Sequence, residues 1–350
     1  MYYDLNVVWP ARPPIVTSGS SSASKKQSKG KQKEAVNEKS GLDTLNQAER
    51  TELAKCVHMA IKLGYSTIAF NLVLPPGSFD VNTIAAMNPC FCSKPPFPDL
   101  DPRTENAKSG KKTVLQLSRL TVVIDEQSLG GGKGNASVFT SSNANSLSGY
   151  NLLSALPLDH ASFSQICLNF SNPGPSSIGI ITLDLATSTR LPFQLKRSMV
   201  LKALADGTVF EVCYGIAMRS TGGSASHPSQ QGTEKSIPKE ARRNIVAGAR
   251  ELIRVTNGKG IILSSEVRRC MEMRGPLDLC NLGTILGLKP EQARNSVAGN
   301  ARMAVIRGHA DRGTYRGVIG NPVVLVTTRT GSGEVQQASK RKRTQDDTGR

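Results

Sequence analysis

The chain of 350 residues holds 44 Lys and Arg against 27 Asp and Glu, a net charge of +17, and only 5% of it is aromatic. Its length exceeds an average domain but suits one α/β barrel with insertions, its apolar runs are too short to span a bilayer, and its charge surplus favours a polyanion through counterion release and long-range steering. So few aromatics argue against single-strand recognition by base stacking, and seven Cys at irregular spacings behind a polar start are expected as reduced thiols.

In chain order, residues 2–8 form the first strand, closed by Pro10 and the Pro13-Pro14 pair. Residues 17–41 are a Ser/Lys/Gln insertion expected to be mobile. A helix over 46–63 follows, with Asn46 as cap, Glu49 at the capping-box position and Gly64 at its exit. The second and third strands fall at 67–72 and 120–125, separated by a Pro-, Ser- and Lys-rich surface insertion at 75–112. A Gly/Ser/Asn-rich insertion covers 128–149.

From there the alternation tightens. Strand 152–156 precedes a helix capped by Asp159 and reaching about Phe170, then come strand 178–185, helix 198–206 and strand 209–214. A polar loop at 220–235 leads to a helix that opens at Ser236 or Pro238 and ends at Arg254. A strand at 260–264, short helices at 278–286 and 290–300, and an eighth strand at 303–307 complete the pattern. Eight strands separated by helices fit a closed (β/α)8 barrel or an open doubly wound sheet. The expected organisation is one domain over 1–320, with mobile insertions, and a mostly disordered basic tail at 321–350.

The stretch 178–214 is one strand–helix–strand unit with a basic loop at its turn, Arg190-Leu-Pro-Phe-Gln-Leu-Lys196-Arg197. Parallel strands joined by a helix belong to α/β folds, whose sites sit at the C-terminal strand ends, and helix N-termini favour anions. The helix ending at Arg254 has two faces. At about 100° per residue, Ala241, Ile245, Ala249 and Leu252 share an arc of roughly 80°, while Lys239, Arg243, Arg250 and Arg254 share about 60° on the opposite side. Glu240 and Glu251 lie outside that stripe, which reads as a single-sign ridge suited to a phosphate backbone. Arg190, Lys196, Arg197 and Arg274 are the further candidates, because Arg offers bidentate donors to phosphate.

The polar residues Asp4, Asn6, Asn71, Asp125, Asp184, Glu211, Tyr214, Ser264 and Ser265 are expected at the strand ends, where the acids read first as helix caps or partners of nearby Arg. No catalytic or metal site is expected. Cys90-Phe91-Cys92 has no second ligand pair, Gly130-Gly-Gly-Lys133 lacks the Ser/Thr ending of a phosphate loop, and no Ser-His-Asp or Cys-His signature occurs.

Seven pieces in order connect the chain to a known family: Met1-Tyr-Tyr-Asp4-Leu-Asn6-Val, Leu63-Gly-Tyr-Ser-Thr67-Ile-Ala-Phe-Asn71, Ser118-Arg119-Leu-Thr121-Val-Val-Ile-Asp125, Leu183 to Gly215, Gly260-Ile-Ile-Leu-Ser264-Ser265, Met273-Arg274-Gly275-Pro276-Leu-Asp278 and Asn281-Leu-Gly283. They resemble the TIM-barrel, thirty-kilodalton protein subunit of nuclear ribonuclease P and ribonuclease MRP. The resemblance implies a (β/α)8 TIM-like barrel akin to the polymerase-and-histidinol-phosphatase fold. It also implies a non-catalytic subunit that supports RNA-catalysed 5′-leader removal from precursor tRNA and, through the sister particle, ribosomal-RNA processing. The implied partners are the ribonuclease P and MRP RNAs, precursor tRNA and other protein subunits of the same particles, with no cofactor and no membrane. The implied compartment is the nucleus and its nucleolus, with Lys340-Arg341-Lys342-Arg343 as an import signal.

Two alternatives stand beside that reading. One is a metal-dependent phosphoesterase of the polymerase-and-histidinol-phosphatase type, whose first strand opens with His-x-His where this chain has Asp4-Leu5-Asn6. His58, His160, His227 and His309 are too scattered for a multinuclear site. The other is a scaffold that meets protein and no RNA.

Overall fold

Seven apolar runs lie side by side as one parallel sheet, paired in chain order: β1 (Tyr3–Val8), β2 (Thr67–Leu74), β3 (Leu115–Ile124), β4 (Leu152–Pro157), β5 (Ile180–Thr182), β6 (Val209–Cys213) and β7 (Ile261–Ser264). The computed structural model describes residues 1–10, 42, 45–77, 81–90, 94–104, 112–129, 135–219 and 240–313. The segments 17–41, 220–235 and 321–350 lie outside them. The helices are α1 (Gln47–Leu63), α2 (Val81–Ala86), α3 (Glu126–Leu129), α4 (Ala144–Leu147), α5 (His160–Gln165), α6 (Arg197–Ala205), α7 (Gly215–Met218), α8 (Ala241–Thr256), α9 (Pro276–Leu286), α10 (Pro290–Val297) and α11 (Gly299–Gly313). None of the described helices is long and apolar enough to cross a membrane.

Sheet edges are brought together between β1 and β7. Val7 bridges Val267, the Val8 N–H donates to the Val267 carbonyl at 3.1 Å, and the Ser265 N–H donates to Asp4 Oδ1 at 3.1 Å. The result is the expected TIM-like α/β barrel, nearly closed with seven strands. Outward side chains such as Phe70, Leu72, Leu120, Val122 and Phe210 pack in the main core with helix residues such as Val57, Val200 and Leu252. Strands covered on both faces need such apolar rows.

Local signals in the sequence account for several element ends. Glu49 reaches back to the Asn46 N–H at 3.0 Å, and Gly64 exits α1 with φ +90°, a conformation in which a side chain is strained. Asp159 Oδ1 accepts the Ser162 N–H at 2.8 Å and starts α5. β5 is shorter than the predicted 178–185 run. The Asp184 carboxylate takes the Ala186 and Thr187 amides at 3.3 and 3.2 Å, which turns the chain out of the sheet.

The predicted strand at 303–307 is corrected: it is helix, inside α11. Ala301 and Ala304 are buried while Met303 and Ile306 are 62% and 46% exposed, a three-residue spacing and not strand alternation. Ala301 and Ala304 share one buried cluster with Leu5, Ala69, Leu117, Leu152, Ile180, Val209 and Ile262, so that every strand is represented in it. The helix thereby seals the N-terminal end of the barrel. Its Asn300 donates to the Ile261 carbonyl at 2.8 Å and Arg312 to the Asn151 carbonyl at 2.5 Å. Small side chains permit the approach, since a Cβ on Gly308 would lie 2.5 Å from the Asn151 carbonyl oxygen.

Within the segments read as insertions, several of the described residues join the core. Ile84, Cys90 and Asp101 of 75–112 are buried, as are Val138, Phe139 and Leu147 of 128–149. Tyr150, also buried, donates its hydroxyl to the Ile84 carbonyl at 2.8 Å.

Ala304→Leu should force the α11 seal off the barrel floor and lower the unfolding free energy by about 1–3 kcal/mol. Met303→Ala, one residue away on the exposed face, should stay within about 0.5 kcal/mol. Urea unfolding of the full chain measures both, and equal small effects would contradict the seal.

Candidate functional site

Above its apolar floor the barrel interior turns polar, and every strand supplies a group: Asn6, Asn71, Arg119, Ser154, Thr182, Glu211 and Ser264, all buried. A register shift between Asp4 and Val7 breaks the alternation of β1, so that both Leu5 and Asn6 serve the interior.

Arg119 is fully buried with all five N–H groups used. Nε donates to Ser154 Oγ at 2.9 Å, Nη1 to the Leu5 carbonyl at 2.8 Å and to Glu211 Oε1 at 2.6 Å, and Nη2 to Thr182 Oγ1 at 2.8 Å and Glu211 Oε2 at 2.6 Å. Glu211 also accepts from Ser264 at 2.6 Å, Thr182 at 2.7 Å and Asn6 Nδ2 at 3.3 Å. Burial pushes the Glu211 carboxyl up, but the charge and bonds of Arg119 outweigh it and hold the carboxyl below its ordinary value. An ionised carboxylate with saturated lone pairs has no capacity left to serve as a general base. The barrel axis already carries a cation on a side chain.

Three further acids have backbone partners. Asp125 accepts the Ser128 N–H at 2.9 Å and its hydroxyl. Asp184 holds its turn. Asp4 Oδ1 clasps the seam, also taking the Asn6 N–H at 3.3 Å, while Oδ2 is buried without a partner among the described residues. Burial raises the Asp4 pKa. Among the described residues no three His, Cys, Asp or Glu side chains converge as metal ligands. Burial pushes the Cys56, Cys90 and Cys167 thiols up to about 12, which leaves them un-ionised near neutral pH.

Arg274 fixes a turn through carbonyls. Its Nη1 donates to the Met271 and Met273 carbonyls at 3.0 and 3.1 Å, its N–H to Tyr214 Oη at 3.0 Å, and its carbonyl accepts the Tyr65 hydroxyl at 2.8 Å.

The basic loop is anchored by its apolar members. Phe193 stacks on Phe163 with centroids 4.8 Å apart, and Leu195 is buried, which leaves Arg190, Lys196 and Arg197 exposed at the C-terminal strand ends. Thr189 Oγ1 donates to Asn244 Oδ1 at 3.1 Å, and Asn244 Nδ2 to the Ala186 carbonyl at 3.0 Å, tying the loop to the first turns of α8 beside Arg243.

On α8 the buried face is Ala241, Ile245, Ala249 and Leu252, and Arg243, Arg250 and Arg254 are exposed; Lys239 lies outside the described residues. The acids flanking the ridge do reach into it. Glu240 pairs with Arg243 at 3.8 Å and Glu251 with Arg254 at 2.7 Å, so the ridge carries partly compensated charge. Arg250 lies 3.4 Å from the Ile285 carbonyl.

Arg119, Ser154 and Thr182 were not singled out from the sequence as functional groups. The available signal was an Arg in an apolar strand at an inward position, in step with Leu117 and Thr121.

Glu211→Gln should lower the unfolding free energy by about 3–5 kcal/mol, because it strands the Arg119 charge in the interior. The depressed Glu211 pKa contributes stability that is complete above the ordinary 4.5 and is lost as pH falls through the folded-state value. Denaturant unfolding across that acid range should show a steeper loss in the parent than in Glu211→Gln.

A family model described as RNase P subunit p30 matches residues 1–312. The mouse ribonuclease P protein subunit p30 is 25% identical over 281 residues, 79% of this chain and 88% of that protein. The Saccharomyces cerevisiae ribonuclease P/MRP protein subunit RPP1 is 24% identical over 301 residues, 84% of this chain and 87% of that protein. A Schizosaccharomyces pombe protein named "Probable ribonuclease P protein subunit 3" is 28% identical over 170 residues, 49% of this chain and 61% of its own length.

Proposed function

Because the chain belongs to the RNase P subunit p30 family, we propose that it is a non-catalytic protein subunit of ribonuclease P, supporting RNA-catalysed removal of 5′ leaders from precursor tRNA, and of ribonuclease MRP in ribosomal-RNA processing. The family match over residues 1–312 carries this reading. The interior supports the non-catalytic part, since the barrel axis that a phosphoesterase would use for metals is taken by Arg119 and the carboxylate beside it is saturated. Affinity purification of the full chain from cells tests it directly. The ribonuclease P and MRP RNAs should co-purify, and their absence would overturn the reading.

In this role the chain meets RNA through phosphates, and Arg190, Lys196 and Arg197 are the contacts. Arg190 and Lys196 are exposed on a loop that buried Phe193 and Leu195 hold in place, and exposed Arg197 opens α6 directly after it. Replacing them with Gln should weaken RNA of any sequence alike. Each lost phosphate contact should reduce the slope of log affinity against log salt by about 1. Unchanged affinity and slope would remove the loop from the interface, and loss confined to one RNA sequence would indicate base readout.

The compartment belongs to the same proposal: Lys340-Arg341-Lys342-Arg343 directs nuclear import, and the particle works in the nucleus and nucleolus. Deleting residues 340–350 should shift a fluorescent fusion toward the cytoplasm without altering thermal unfolding. An unchanged nuclear signal would contradict it.

A further inference from the structure

The RNA-facing loop occupies one end of α6, and the other end of the same helix borders a cavity the RNA reading leaves unused. The last turns of α6, the starts of β6 and β7 and the outer side of α11 line a shallow, open cavity of about 370 Å³, with Leu201, Leu204, Val209 and Met303 among the walls. Leu201 and Met303 are themselves 42% and 62% exposed, and Ile306 extends the apolar strip along α11 at 46%. Lys259 lines the cavity, and Arg302 stands exposed next to Met303.

We propose that this cavity and the adjoining face of α11 dock an acidic amphipathic helix of another protein, one bulky apolar residue filling the cavity and flanking carboxylates meeting Lys259 and Arg302. Recognition of a helix by an apolar groove works through such spaced anchors. A small apolar ligand would leave the protruding Leu201, Met303 and Ile306 in water, whereas a helix lying across the mouth covers all of them. Phosphate contacts have no use for such walls. A second copy of this chain is disfavoured by charge, because a two-fold contact through this face would bring Lys259 and Arg302 close to their own copies. The inference rests on the ribonuclease P reading only in that the partner is sought among the protein subunits of that particle.

The test uses the full chain in affinity-purified particles, with a benzophenone side chain placed at Met303 or at Ile306 and crosslinks mapped by mass spectrometry. A crosslink to a segment in which an apolar anchor is flanked by Asp or Glu is expected. Crosslinks to RNA or to this chain itself, or no crosslink, would overturn the proposal. The exposed pair Lys259→Glu with Arg302→Glu should retain the fold and reduce recovery of the crosslinked protein at least tenfold. RNA affinity of the isolated chain should fall much less than in the variant with Arg190→Gln and Arg197→Gln, which should show the reverse pattern. Unchanged recovery would also overturn the proposal. If the particle RNAs fail to co-purify while the acidic crosslink forms, the ribonuclease P reading fails and the docking surface stands.

Discussion

A guanidinium and a carboxylate share the centre of the barrel, and the rest of the interior is arranged to satisfy them. Burying either charge alone would be costly by several kcal/mol, and a buried pair is tolerable only with good geometry and its remaining groups bonded. Here Arg119 and Glu211 meet through two bonds of 2.6 Å, and Ser154, Thr182, Ser264, Asn6 and the Leu5 carbonyl take up the rest. Asn71 belongs to the same layer, donating to Asn6 at 2.8 Å and accepting from Thr121 at 2.7 Å. With groups from every strand committed, a slip of one residue in any of them would turn its polar side chain away from the interior. The network thus opposes wrong register as well as holding two charges.

That commitment also limits what the barrel interior can offer to other molecules. In an α/β barrel the strand ends are the usual location for chemistry, yet here the carboxylates near them brace turns and the seam. What remains open to partners is the outside. The exposed cations at the start of α6 stand beside buried Phe193 and Leu195, and placement of that kind would limit the ordering cost of binding under the proposed phosphate-contact role. The Arg–Glu pairs on α8 are solvent-exposed and individually weak, so they reduce the charge of that ridge without locking it.

The helix α11 shows a related economy. It occupies the place in the chain where an eighth strand was expected, and its alanines belong to the apolar cluster of the barrel floor, to which every strand contributes. An apolar floor and a polar centre follow in order along the barrel axis. α6 runs between the two ends, carrying Arg197 at its start and the cavity wall Leu201 and Leu204 in its later turns.

By itself the sequence determined the strand–helix alternation, because side-chain period and capping chemistry are local. Asn46 with Glu49, Gly64, Asp159 and the opposed faces of α8 all follow from neighbours a few residues apart. The ordered pieces from Met1 to Gly283 determined the family in the same way. Tertiary structure alone decided that Arg119 and Glu211, 92 residues apart, meet at the axis. It also decided that residues 303–307 are helix. Alanine, methionine and valine are compatible with either element, and the choice came from the open barrel end that only seven assembled strands create. The basic residues divided for the same reason. Arg119 could be told apart in the sequence by its inward place in an apolar strand, but only burial, an adjacent carbonyl turn or open solvent sets Arg119, Arg274 and Arg190 apart in the fold.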